Sequence, residues 1–174
     1  MSAKPPYRVT VVCTGNICRS PMGEFLLRER FADAGLEDQV AVDSAGTHSW
    51  EVGNRADPRT LAVLARNGHD DLGGSDHVAR KFERSWFDEV DLVLAADAGH
   101  LRELASLAHT DEQRAKVGML RSFDPVSADR DDLDMDDPWF GDDSSFDQTY
   151  AEITAAAEGV VEHVRQVLAN RQTR

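Results

Sequence analysis

The chain has two cysteines, and both fall in the ten-residue stretch VVCTGNICRS, residues 11–20. Cys13 and Arg19 bracket five residues, directly after a β-branched run. A loop that curls between a strand and a helix start turns its backbone N–H groups inward, and the helix N-terminus adds positive potential. That combination cradles a tetrahedral dianion. Arg19 adds two donors in a planar fork that matches two phosphate oxygens. Cys13, at the base of the cradle, sits in the same field, which favours its thiolate. A thiolate beneath a cradled phosphate is a nucleophile aimed at phosphorus.

Other readings of the stretch are weaker. No Gly-Lys-Ser/Thr follows, so it is not a Walker A loop. No second cysteine pair or clustered histidine pair completes a zinc site. An isolated Cys-x5-Arg also describes two small buried hydrophobes beside a strand. The whole string is more specific than its spacing.

The flanking elements must position that loop. Residues 8–12, RVTVV, read as a buried strand. Ser20-Pro21 fits a helix start with proline in the first turn, followed by Met22, Phe25 and Leu26 at helical spacing. Residues 39–42 form a short second strand. Asp57-Pro58 opens another helix, with Leu61, Leu64 and Ala65 on one face and Gly68 at its end. Residues 91–96 are the clearest buried strand, with Asp97 placed to cap the next helix, and residues 117–120 form a fourth. The last helix is expected from Ser144, where Ser144 to Asp147 resembles a capping box. Ile153, Ala157, Val160, Val164 and Leu168 form its buried stripe.

Strands alternating with helices imply an α/β fold with a parallel sheet, in which ligands bind at the carboxyl ends of strands. The cysteine stretch lies at such an end. A length of 174 residues suits a single domain with a substantial core. A formal charge of −13 argues against a nucleic-acid binder and a polybasic membrane anchor. The early apolar run is too short for a signal peptide or a membrane span. Two cysteines make no disulfide framework, so the expected compartment is the reducing cytoplasm; a non-classical export route leaves no mark in a sequence. The aspartate-dense residues 124–143 read as a solvated loop. A calcium loop is a poor fit, because Asp137 stands where the sixth-position glycine belongs.

The string from Val12 to Pro21, VCTGNICRSP, resembles the signature of the low-molecular-weight protein tyrosine phosphatases. Asp137-Pro138-Trp139-Phe140-Gly141 resembles that family's second signature. DSAGT at 43–47 and HVAR at 77–80 are similar to two further family segments. The resemblance implies a single domain with a twisted four-stranded parallel sheet, helices on both faces and a phosphate-binding loop after the first strand. It implies Cys13 as nucleophile, Arg19 as phosphate and transition-state binder, and Asp137 as general acid and then base. Asp136 is the rival by adjacency. Thr14, Gly15, Asn16, Ile17, Cys18 and Ser20 would complete the phosphate loop. Gly15 would permit the tight turn, Asn16 would shape it in left-handed backbone geometry, and Ser20 would hydrogen-bond the thiolate or cap the helix. Ser44 and His77 would support Asn16. Trp50, Trp139 and Phe140 would rim the cleft and sandwich a phenyl phosphate. Many relatives carry two tyrosines where this chain has Trp139 and Phe140, which leaves Tyr7 and Tyr150 as its tyrosines.

The implied substrates are tyrosine-phosphorylated proteins, with inorganic phosphate as product inhibitor. No nucleic acid, membrane, cofactor or metal is called for, since Arg19 and the amides neutralise the phosphate. Three alternatives share the loop. Arsenate reductase passes oxidation to further cysteines, and this chain has none after Cys18. Protein-arginine phosphatases tend to carry threonine where this chain has Ile17. A catalytically silent phosphotyrosine reader would not need Cys13, Arg19 and Asp137 together. Hydrolysis does not require Cys18. It is either small buried packing or, as the resemblance implies, a thiol that traps oxidised Cys13 as a disulfide.

Overall fold

A computed structural model of the protein describes residues 4–69 and 76–173. Its centre is a four-stranded, wholly parallel sheet of β1 (Tyr7–Cys13), β2 (Val40–Gly46), β3 (Leu92–Ala95) and β4 (Val117–Met119), in the order β2-β1-β3-β4. Among the described residues six α-helices connect and cover it: α1 (Arg19–Asp33), α2 (Pro58–Arg66), α3 (Ala98–Leu107), α4 (Asp111–Ala115), α5 (Pro125–Asp129) and α6 (Asp143–Gln172). Short 3-10 turns occupy Arg84–Asp88, Leu120–Phe123 and Pro138–Phe140.

β1 is buried on both faces from Val9 to Cys13, the pattern of a parallel sheet. Val9 and Val11 join Val42 and Leu94 under α1, α2 and α6, against Phe25, Leu64, Phe146 and Val160. Val12, Val93 and Ala95 face the other way, onto Phe82, Phe87 and Leu104. The chain leaves β1 toward β2 on one side and crosses back to β3 on the other. The carboxyl ends of β1 and β3 therefore flank the crevice where strand order reverses.

Several expected boundaries move. β2 extends to Gly46, so it delivers Ser44 and Gly46 to the end of the sheet. β4 stops at Met119, and Leu120 begins a 3-10 turn. α1 begins at Arg19, one residue before the Ser20-Pro21 start. The capping box at Ser144 does not form. Asp142 caps α6 instead, accepting from the Ser144 amide and hydroxyl. Leu168 is only partly buried, whereas Ile153, Ala157, Val160 and Val164 are fully so. The aspartate-dense segment is also less free than a solvated loop. It contains α5, Asp132 pairs with Arg121, and Asp134 accepts from the Ala98 amide.

Four helices carry an aspartate N-cap: Asp57 on α2, Asp97 on α3, Asp124 on α5 and Asp142 on α6. All four carboxyls are held below the usual carboxylate range. Burial opposes this at Asp57 and Asp97. It is outweighed at Asp57 by Arg59, and at Asp97 by the His100 amide and ring and by Arg19. Hydrogen bonds from Ser127 and Ser144 do the same for Asp124 and Asp142. α1 is the exception: Cys18 stands at its N-cap and no side chain satisfies its first amides.

Two predictions follow from this framework. Gly159 lies inside α6, where alanine would ordinarily gain about 1 kcal/mol of helix propensity. An added Cβ would sit 2.0 Å from the Phe123 carbonyl oxygen, so Gly159→Ala should instead lower the melting temperature; a higher one would refute this packing. Depressed caps stabilise fully above the unfolded carboxylate pKa of about 3.9 and lose that contribution as pH falls through the folded values. The urea midpoint should therefore hold near neutrality and fall below about pH 4. Asp124→Asn, which keeps a capping side chain, should reduce that fall; an unaltered fall would exclude Asp124 as a contributor.

Candidate active site

The loop from β1 to α1 closes through Asn16, which is fully buried and adopts φ 61°. Its side-chain amide donates to Ser20 Oγ at 2.8 Å and to Ser44 Oγ at 2.9 Å. Its Oδ1 accepts from the Arg80 amide at 3.0 Å, and its carbonyl accepts from His77 Nε2 at 2.8 Å. These bonds fix the donors further on. Ser44, accepting from Asn16, donates to Glu24, which also pairs with Arg28. Ser20 Oγ, likewise an acceptor for Asn16, lies 3.0 Å from Cys13 Sγ, within reach to donate to its thiolate. Ser20 thus serves the sulfur and does not cap α1, whose N-cap has no side-chain bond.

Gly15 has no left-handed φ; Asn16 alone takes that geometry in the loop. The glycine that the loop cannot lose is Gly46, at the end of β2. A Cβ there would stand 2.5 Å from the Thr14 carbonyl and 3.2 Å from the Asn16 amide. The Thr47 and His48 amides hold the Cys13 and Thr14 carbonyls outward at 2.8 and 3.1 Å. With the carbonyls held there, the loop amides and the uncapped α1 N-terminus are left to face an anion.

Arg19 is 3% exposed, a buried charge that needs partners. Nη1 donates to Asp97 at 3.0 Å and to the Met135 carbonyl at 2.8 Å. Nη2 lies 3.4 Å from Thr14 Oγ1 and 3.6 Å from Asp137 Oδ2. Nε is buried without a protein partner. The Nε–Nη2 edge of the fork is therefore the one available to two phosphoryl oxygens.

A cleft of about 290 Å³ opens above this floor. Cys13, Thr14, Gly15, Ile17, Cys18 and Arg19 line its base, and Trp50, Glu51, Asp137, Trp139 and Phe140 line its walls. Trp50 stacks on His48 at 4.2 Å, and Trp139 meets Phe140 edge-on at 5.0 Å. All three rim aromatics are more than half exposed. Asp137 Oδ1 accepts from the Trp139 amide, turning Oδ2 toward Arg19. Asp136 is exposed and does not line the cleft. Ser44 and His77 stand behind the loop.

Cys18 is buried and is a free thiol, as is Cys13. Burial pushes its pKa well up, and Asp57 adds to the effect. The Asp57 amide donates to the Ile17 carbonyl at 2.8 Å, and its carboxylate holds Arg59 at 2.9 Å. Arg59 reaches the Gly141 carbonyl at 3.3 Å and stacks over Phe146, so this pair ties the phosphate loop to the Asp137 loop. Sequence reasoning gave Asp57 and Asp97 only as caps and missed Arg59, Glu24, Arg80 and His100. Asp97 with His100 three residues on was a visible helical spacing; nothing local marked the others.

Comparison with known proteins agrees with this geometry. The family model for low molecular weight phosphotyrosine protein phosphatase matches residues 8–170. A low molecular weight protein-tyrosine-phosphatase of Streptomyces coelicolor is 51% identical over 95% of this chain and 98% of its own. The low molecular weight phosphotyrosine protein phosphatase of Sus scrofa is 33% identical over 95% of this chain and 100% of its own. A protein tyrosine phosphatase of Entamoeba histolytica, crystallised with Hepes in its active site, superposes with a TM-score of 0.84 at 25% identity, covering 92% of this chain and 97% of that one. With its phosphate-type loop, its buried arginine and this similarity along nearly the whole length, the chain belongs to the low molecular weight phosphotyrosine protein phosphatase family.

Proposed function

We propose that the protein hydrolyses phosphotyrosine in proteins through a cysteinyl phosphate, with Cys13, Arg19 and Asp137 as the reacting groups. The observation that carries this reading is the convergence on one cleft of Cys13 and Arg19, from the two ends of one loop, with Asp137, from the segment before the last helix. The substrate phosphoryl group sits in the loop amides, gripped by Arg19. Cys13 Sγ attacks phosphorus as the bond from phosphorus to the phenolic oxygen breaks. Asp137 gives its proton to the departing phenolate, which otherwise leaves poorly. In the second half, Asp137 takes a proton from water as the water oxygen attacks phosphorus. The sulfur–phosphorus bond breaks, and inorganic phosphate departs. The Ser20 hydroxyl stabilises the thiolate as attacker and as leaving group.

The walls favour an aryl ester. Trp50, Trp139 and Phe140 offer ring faces, and apolar Ile17 lies beside the phosphate site. A phosphoserine is too short to place its phosphorus on Cys13 while its backbone clears that rim. The same cradle binds inorganic phosphate, which makes the product an inhibitor. Among the described residues no helix is long and apolar enough to cross a membrane. With no more than two free thiols, a reducing cytoplasm suits the enzyme, and Cys18, free and on the same loop, is the thiol available to trap oxidised Cys13.

Para-nitrophenyl phosphate turnover by the purified protein, without added metal, tests the reading. Cys13→Ser should abolish turnover and keep vanadate binding; retained turnover would overturn the nucleophile. Asp137→Asn should slow aryl phosphates in proportion to how poorly their phenols leave, with the smallest loss for the best leaving group. A uniform loss would remove Asp137 from leaving-group protonation, and a graded loss in Asp136→Asn would assign the role to its neighbour.

A further inference from the structure

Arg19 closes a ring with three side chains to which the reaction above gives no step: Asp97, His100 and Thr14. His100 is 3% exposed, on the first turn of α3. Its Nε2 is 2.8 Å from Thr14 Oγ1. Its Nδ1 is 3.1 Å from Asp97 Oδ1, off the angle of a straight hydrogen bond. Asp97 Oδ2 accepts from Arg19 Nη1, and Arg19 Nη2 faces Thr14 Oγ1.

Donor counting fixes every proton in this ring. Asp97 is held ionised, so both its oxygens only accept. The His100 nitrogen that faces it must therefore carry the ring proton. In a neutral imidazole Nε2 is then an acceptor, and the Thr14 hydroxyl must donate to it. That leaves a Thr14 lone pair directed at Arg19 Nη2. An imidazolium would reverse the Thr14 bond and set a second cation beside Arg19. Burial keeps His100 below its ordinary pKa, opposed by Asp97 and supported by Arg19. Glu103, on the next turn of α3, and Asp137, on the opposite wall, are the other charges that face it.

We propose that His100 is a positioning residue for phosphate binding: as a neutral Nδ1–H imidazole it orients the Thr14 hydroxyl, which turns the Nε–Nη2 edge of Arg19 toward the substrate. The proposal rests on Arg19 as the phosphate-gripping group. It differs from a packing role because it prescribes a tautomer and a coupling between two residues on different segments.

Imidazole nitrogen NMR of the wild-type protein tests it first. His100 should show the Nδ1–H tautomer and titrate below the ~6.5 of free imidazole. An Nε2–H tautomer would overturn the proposal, and so would ordinary titration. Kinetics with para-nitrophenyl phosphate and inhibition by inorganic phosphate test it second. Thr14→Val and His100→Leu should each lower kcat/KM roughly tenfold and weaken phosphate inhibition, the scale of one misdirected hydrogen bond. The double variant should lose no more than either single, and Thr14→Ser should retain wild-type values. Additive losses would overturn the coupling, as would a Thr14→Ser enzyme as weak as Thr14→Val. Arg19→Lys separates the two readings. If phosphate inhibition survives that change, the role of Arg19 itself falls. If it is lost while Thr14 and His100 act independently, only the positioning role falls.

Discussion

The site depends on a buried amide side chain in a left-handed turn. A loop whose N–H groups all face an anion must send its carbonyls elsewhere and reverse direction within a few residues. Asn16 makes the reversal at φ 61°, a geometry that disfavours most side chains. Its hydrogen-bond partners come from α1, from the end of β2 and from the segment after residue 76. The bonds to Ser20 and Ser44 are fully buried, so an unmade one would leave a buried polar group at a cost of about 1–3 kcal/mol. The bond to Ser20 also holds its hydroxyl beside the Cys13 sulfur. The shape of the loop and the state of the Cys13 sulfur are thus set by one network.

A second constraint is the burial of Arg19. A guanidinium away from water is tolerated only with partners of opposite charge and satisfied hydrogens. Asp97 supplies the charge and the Met135 carbonyl one further acceptor. These two hold Nη1, so the fork cannot rotate freely, and its remaining edge faces the cleft. Asp97 reaches this position because β3 ends beside β1 and α3 begins there, with Asp97 as its cap. One carboxylate therefore stabilises a helix and orients an arginine, and both roles call for it to be ionised.

The two halves of the cleft are built on different parts of the fold. The floor belongs to the sheet and to the uncapped start of α1. The Asp137 wall belongs to a 3-10 turn before α6, and Arg59 connects the two by bridging Asp57 and the Gly141 carbonyl. The rim aromatics have few packing obligations. Phe140 is 80% exposed at the cleft wall, an apolar ring left open to what enters.

Much of this was legible in the sequence because it is local. The buried run of β1, the proline start of α1, the Asp57 and Asp97 caps and the stripe of α6 each follow from neighbours within one or two turns. The placement of Cys13 and Arg19 at the two ends of one loop also follows from five intervening residues and the element change between them. The capping box at Ser144 went wrong for a local reason: Asp142, two residues earlier, competes for the same amide and wins. What the tertiary structure alone decided concerns residues far apart in the chain. Thr14 and His100, Arg19 and Met135, Asn16 and Arg80, Arg59 and Gly141 meet only after the strands take the order β2-β1-β3-β4. Gly46 shows the same division. No positive φ or turn marks it, and its need for a missing Cβ arises because β2 ends under a loop that the chain left some thirty residues before. A sequence records which groups are available and how their immediate neighbours bend the chain. Which buried donor meets which acceptor is fixed by the closing of the sheet, because only then does the exclusion of water make each unpaired group costly.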